Sequence, residues 1–130
     1  MNDEIIGKYI RDLDGLLREF KMLKGKLGDI EAETICNVEA SVIFTFGTVF
    51  RFLDFSSLTF GLRKGIDAVV EWNDKPLGLE FESCSSNFRR HKHPEEGCGL
   101  IVCWEDDDAP HGIDVLELKQ LWEEAQKTRQ

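Results

Sequence analysis

The sequence predicts a layered α/β domain on a mixed sheet, and three observations carry that class. Two stretches in the N-terminal half place apolar residues at helical spacing. A pair of alternating segments flanks a turn cluster near residue 75, and a continuous apolar run, Leu100 to Trp104, follows later. The expected order is α, α, β, β, a connection, β, β, α. At 130 residues the chain fits one domain, long enough to bury a core without disulfides or a structural metal.

The first helix is expected over residues 3 to about 24, where Ile6, Tyr9, Ile10, Leu13, Leu16, Leu17, Phe20 and Leu23 recur every three or four positions. Gly7 and Gly15 should each weaken it by about 1 kcal/mol relative to alanine, so it should depend on docking, and Gly25 and Gly28 bracket its end. A second helix is expected from about Glu31 to Leu53, with Ile35, Val38, Val42, Ile43, Phe46, Val49, Phe50 and Leu53 on one side. At about 100° per residue, Glu39 falls into the middle of that stripe, where a carboxylate needs a reason.

A loop is expected at Phe55 to Thr59. From Ile66 to Trp72 the residues Ile66, Ala68, Val70 and Trp72 alternate with Asp67, Val69 and Glu71. Leu77, Leu79 and Phe81 alternate with Gly78, Glu80 and Glu82 after the turn Asn73-Asp74-Lys75-Pro76, which makes a hairpin. Leu100 to Trp104 reads as a strand buried on both faces, with Glu105 to Asp108 as a charged, solvated loop after it. Ile113 to Leu118 reads as another strand, and Lys119 to about Lys127 as a terminal helix.

The composition, 42% hydrophobic and 32% charged, is that of a globular protein, and no apolar run approaches the roughly 18–20 residues that span a bilayer. Met1 to Glu4 is acidic where a secretory signal is basic, so a soluble, cytoplasmic protein is expected. Cys36, Cys84, Cys98 and Cys103 form no CxxC pair and are expected as reduced thiols. The net charge of −9 argues against nonspecific coating of nucleic acid. A local basic cluster stands out nonetheless: from Ser83 to Pro94 there is no carboxylate, and the stretch carries Arg89, Arg90, His91, Lys92 and His93.

With a four-residue hairpin loop, residue 67 faces residue 82 and residue 69 faces residue 80, so Asp67, Glu80 and Glu82 share one face. Like charges so placed destabilise a sheet unless a cation joins them or their pKa values rise. A solvated acidic strand face is the plain alternative. Hard oxygen ligands suit Mg²⁺ or Mn²⁺, held by one or two protein carboxylates with room left for water and a substrate phosphate. Such a site polarises a phosphoryl oxygen and activates water for phosphodiester hydrolysis.

Gly65-Ile66-Asp67, a hairpin turn and Leu79-Glu80-Phe81-Glu82 resemble the PD-(D/E)xK signature of restriction-endonuclease-like nucleases, with a helix carrying Glu39 ahead of it. Phe81-Glu82-Ser83, Ser86-Asn87-Phe88, His91, His93 and Leu100-Ile101-Val102-Cys103-Trp104-Glu105 are also similar to a group of uncharacterised microbial proteins assigned to that class. The resemblance implies a restriction-endonuclease-like core over about 31–120, a mixed central sheet flanked by helices, with residues 1–30 as an N-terminal helical extension. It implies Asp67 and Glu80 as metal ligands and Glu39 as an auxiliary acid. Nucleic acid is the implied partner, DNA ahead of RNA.

Ile66 stands where the motif has proline, and Glu82 stands where it has lysine. The second departure resembles the ExE variant of some restriction enzymes, in which Glu82 would be a general base or a further metal ligand. The other expectation is a nuclease-fold protein without cleavage, serving as a nucleic-acid-binding or protein-interaction module. Arg89, Arg90, Lys92, His91 and His93 would face the substrate backbone. A homodimer would suit an enzyme that cuts both strands. A zinc site of His91, His93, Cys98 and Cys103 is the lesser alternative, because HxH followed by Cx4C is unusual spacing and Cys103 lies in an apolar strand.

Overall fold

The computed structural model describes residues 2–27, 38–63, 65–90 and 97–127. Helix α1 (Asp3–Tyr9) is capped by Asn2, whose side chain accepts from the amides of Glu4 and Ile5. Helix α2 follows at Leu13–Leu27, so the single helix expected over this region is two. The chain breaks because Ile10 bridges to Leu53, while the amides of Arg11 and Asp12 both donate to the Phe52 carbonyl. Asp12 then caps α2 by accepting from the Gly15 amide at 2.9 Å. Apolar periodicity runs through the break because Ile5, Tyr9, Leu16, Phe20 and Leu23 enter one core. Gly15 has a packing reason: a Cβ there would lie 2.7 Å from the Phe52 ring.

Helix α3 (Glu39–Val49) runs into a 3₁₀ turn at Phe50–Phe52. It is shorter than the helix expected over 31–53, and Ile35, like the rest of 28–37, lies outside the described residues. Val42, Thr45, Phe46 and Val49 are its buried positions. Glu39 does not sit within that stripe. It is exposed, in the first turn of the helix.

Five strands form one sheet in sequence order: β1 (Ser56–Arg63), β2 (Ile66–Trp72), β3 (Lys75–Cys84), β4 (Leu100–Glu105) and β5 (Asp114–Glu117). The first three make an antiparallel meander, and β3, β4 and β5 run parallel. Strand β1 replaces the loop expected at 55–59. Its alternation is hidden by two register shifts against β2, with Ser57 at φ 58° and Gly61 at φ 71°.

The β2–β3 turn has two residues rather than four. Asn73 and Asp74, at φ 52° and 63°, give the left-handed pair that fits the twist of a hairpin, and Trp72 pairs with Lys75. Residue 69 therefore faces 78 rather than 80, and the same register carried one step past the last pair, Ala68–Leu79, sets 67 opposite 80 rather than 82. The shift is by two positions, the period of a strand, so the expected face of each side chain survives.

The short α4 (Asn87–Arg90) leads into the crossover, and α5 (Leu118–Lys127) follows β5 directly. On the helical face, Phe46 packs against Phe81, and Trp122 against Phe20 and Trp104. Ile66, Val69, Ile101, Cys103, Phe88 and Cys98 form a smaller cluster on the opposite side. The main core alone joins residues from Ile5 to Ala125. At the turn end of the hairpin, Lys8 Nζ and Tyr9 Oη donate to Asp114 Oδ2 at 2.7 and 2.6 Å, and Trp72 Nε1 donates to the Lys8 carbonyl. Among the described residues no helix is long and apolar enough to cross a membrane.

Candidate active site

The β2–β3 backbone ladder runs from Trp72–Lys75 to Ala68–Leu79 and stops there. Beyond it, carboxylates take over the bonding between the strands. Asp67 Oδ2 accepts from the Phe81 amide at 2.9 Å, and Glu80 Oε1 accepts from the Asp67 amide at 3.2 Å. Each acid is thus fastened to the backbone of the opposing strand. Glu80 and Glu82 are completely buried and Asp67 is half-buried, which excludes the solvated strand face as the account of these residues.

Burial has an electrostatic consequence, because carboxylates out of water favour their neutral form. Glu80 is pushed up to about 8, first by burial and then by its hydrogen bond and charge interaction with Asp67. Glu82 is also raised to about 8, by burial and then by the charges of Glu39 and Asp67. Glu39 hydrogen-bonds to Glu82 and so reaches the cluster from the exposed first turn of α3. The four acids expected together from the sequence, Asp67, Glu80, Glu82 and Glu39, interact as one group.

Gly78 precedes Glu80 by two positions and shares its face. A Cβ on Gly78 would lie only 2.0 Å from the Gly97 carbonyl oxygen, while its own carbonyl accepts from the Gly99 amide. The chain returning to β4 therefore crosses directly over β3 beside the acids. In the sequence Gly78 alternates with Leu77 and Leu79 like any polar-face position, and only its being a glycine within a strand signals such a crossing. Cys98 lies on this returning chain, where burial first and then the charges of Glu80, Asp67 and Glu82 raise its thiol to about 12.

The acidic segment after β4 is organised rather than simply solvated. Ser85 Oγ donates to Asp106 at 2.7 Å, Ser86 donates to Asp107 through both its amide and its hydroxyl at 2.9 Å, and Asp106 donates its amide to Glu117. Burial raises the Asp107 carboxyl, but the hydrogen bonds from Ser86 and Ser85 together outweigh it and hold the group below its usual range. This loop fixes the exit of β3 and the start of α4.

Arg89 and Arg90 occupy the last two positions of α4, which follows β3 after a short turn. His91, Lys92 and His93 lie outside the described residues, as does Cys36. The zinc alternative therefore rests within the described chain on Cys98 and Cys103 alone, and both are buried free thiols. Among the described residues, no three Asp, Glu, His or Cys side chains converge as a ready-made metal cage. Comparison with family models gives no match, and no curated protein or solved structure matches the chain.

Proposed function

We propose that the protein is a Mg²⁺- or Mn²⁺-dependent nuclease with a restriction-endonuclease-like core, acting on nucleic acid at the open end of the β2–β3 hairpin. The observation that carries this reading is the reciprocal fastening of Asp67 and Glu80 across strands whose ladder has ended, with Glu82 buried beside them. A structural acid pair has no need to replace a backbone ladder. The three-stranded meander following α3, with the acids on its second and third strands, supports the same reading.

The donor set fits the ion: all four side chains offer hard carboxylate oxygens, and one or two protein carboxylates suffice for Mg²⁺ when water and phosphate complete its shell. Asp67 and Glu80 would hold it, with Glu82 as a further ligand or as the base. When bound, the ion supplies Lewis acidity toward the scissile phosphate and lowers the pKa of water. Glu82 takes the place where the resemblance has lysine, and its carboxylate would receive the proton of the attacking water. A raised pKa suits that task, since a base works best with a pKa near the working pH. Burial first, and then the charge of Glu39, keep that pKa high, and the sequence offers Arg89 and Arg90, at the end of the helix after β3, for the substrate backbone rather than for reading bases.

Calorimetric titration with Mn²⁺ and cleavage assays on single-stranded, duplex and branched DNA and RNA test the reading. Asp67→Asn retains an acceptor for the Phe81 amide, so its fold should persist. Its cleavage should fall by more than the roughly 10- to 100-fold typical of losing an outer partner of a metal ligand. Cleavage that survives in Asp67→Asn and Asp67→Ala would sink the assignment. Binding of nucleic acid without any cleavage by the wild type would replace it with the binding-module alternative.

A further inference from the structure

A cavity of about 240 Å³ lies beside β5, the outer strand at the opposite edge of the sheet from β1. It is bounded by α1, β5, the first turn of α5 and Asp106, the residue after β4. Strands β4 and β5 are parallel, and the cavity reaches their carboxyl ends, where an open α/β sheet leaves room for ligands. The register places Glu117 two strands from Glu82, with the buried Cys103 between them. None of the four acids of the candidate active site lines this cavity.

Its lining is of two kinds. Ile6, Val115, Leu116 and Leu121 supply apolar surface, and Leu116 and Leu121 belong to the main core. Asp106 and Glu117 supply carboxylates, and no lysine, arginine or histidine lines the cavity. The two acids are tied together, since the Asp106 amide donates to Glu117 Oε2 at 2.7 Å while Asp106 Oδ1 accepts from Ser85. Among the described residues neither carboxylate is in an ion pair: Lys119, whose charge acts on Glu117, lies 4.0 Å from Glu105 Oε2 instead. Burial first, and then the charge of Asp106, raise the Glu117 carboxyl against the Asp106 amide and Lys119.

Apolar walls, two carboxylates and no cation are complementary to a ligand that brings its own positive charge on an aliphatic body. An anion is repelled here. A neutral hydrocarbon takes water from the acids and gives nothing back. We infer that the cavity is a binding site for a small aliphatic ammonium ion, its head held by Glu117 and Asp106 and its alkyl body laid on Ile6, Leu116 and Leu121. The cavity is below the roughly 300–1,000 Å³ of sites for drug-sized ligands, so the occupant is a short free amine. The inference is independent of the nuclease reading.

Amide-resolved NMR titration of the full chain with n-butylammonium chloride, at constant ionic strength, tests it. Saturable shifts should gather at Ile6, Leu116, Glu117 and Leu121, and each methylene from ethyl- to n-butylammonium should tighten binding by about 2- to 4-fold. Equal concentrations of n-butanol should leave those amides unmoved. Glu117→Gln keeps an acceptor for the Asp106 amide and should weaken n-butylammonium binding by about 10- to 100-fold, with circular dichroism melts reporting its fold. Shifts that never saturate and spread over acids across the surface would overturn the inference, as would n-butanol binding as well as the amine or unchanged affinity in folded Glu117→Gln. Tighter binding of Mg²⁺ alone at the same amides would also overturn it, making the acids a metal site. So would tighter binding of N-acetyl-lysine methylamide, which would assign the cavity to a lysine of a protein partner. If Glu117→Gln does not fold, the chain-length series and the alcohol decide on the wild type alone.

Discussion

Carboxylates toward the two ends of the sheet meet opposite surroundings. Toward the end where the β2–β3 turn lies, burial raises the pKa of Asp114, the first residue of β5, but the bonds it accepts from the Lys8 ammonium and the Tyr9 hydroxyl outweigh that and hold it below the usual carboxylate range. At the open end, the charged groups acting most on Glu80 and Glu82 are other carboxylates, and both pKa values rise to about 8. One chain therefore contains an acid settled by a cation and a group of acids gathered against their own repulsion. Stability explains the first arrangement and disfavours the second, which points to work done at the open end.

The contrast has a pH signature, and it gives the largest expected effect. Glu80 and Glu82 hold protons in the folded state that the unfolded chain releases above about 4.5, so folding is favoured below that pH. The advantage is lost as pH rises through about 8. Metal-free thermal melts should fall by on the order of 10 °C between pH 5 and pH 9, and added Mn²⁺ should recover much of the loss at the alkaline end. The double variant Glu80→Gln/Glu82→Gln should flatten that profile. A flat wild-type profile would erase the difference between the two ends. Asp114 has the opposite sign: its contribution is present above about pH 4 and fades as pH falls further.

Asp114→Ala gives a smaller effect, because the partner Lys8 is substantially exposed and surface ion pairs contribute little. Loss of the Tyr9 bond should dominate, at about 1 kcal/mol in urea denaturation, with nucleic-acid cleavage unchanged. A comparable loss of cleavage would mean that the ends are coupled. Smallest of all is Asp74→Gly, which relieves a side chain held at φ 63° in the turn and should add roughly 0.5 kcal/mol in the same assay.

The hairpin and its acid face were legible because side-chain direction in a strand has period two. Moving the turn from four residues to two changed every partner, yet Asp67, Glu80 and Glu82 stayed together. Leu100 to Trp104 was equally plain, since a strand buried on both faces leaves an unbroken apolar run. Strand β1 was hidden because Ser57 and Gly61 interrupt its alternation, and the α1–α2 break because the core side of the two helices keeps one phase. Glu39 was placed at the site for a mistaken reason: it reaches Glu82 from an exposed first turn rather than from inside the apolar stripe. The burial of Glu80 and Glu82 was beyond local pattern, because it depends on a return segment that crosses β3 at Gly78, far along the chain.

The end of the backbone ladder at Ala68–Leu79 also supplies the protein with two internal reporters. The amide protons of Asp67 and Phe81 point at carboxylate oxygens instead of carbonyls. A change at those oxygens, whether proton loss or capture by a cation, alters the field at the amides directly. Two backbone resonances, assigned once by NMR, would follow the charge state of the acids without any substrate being turned over.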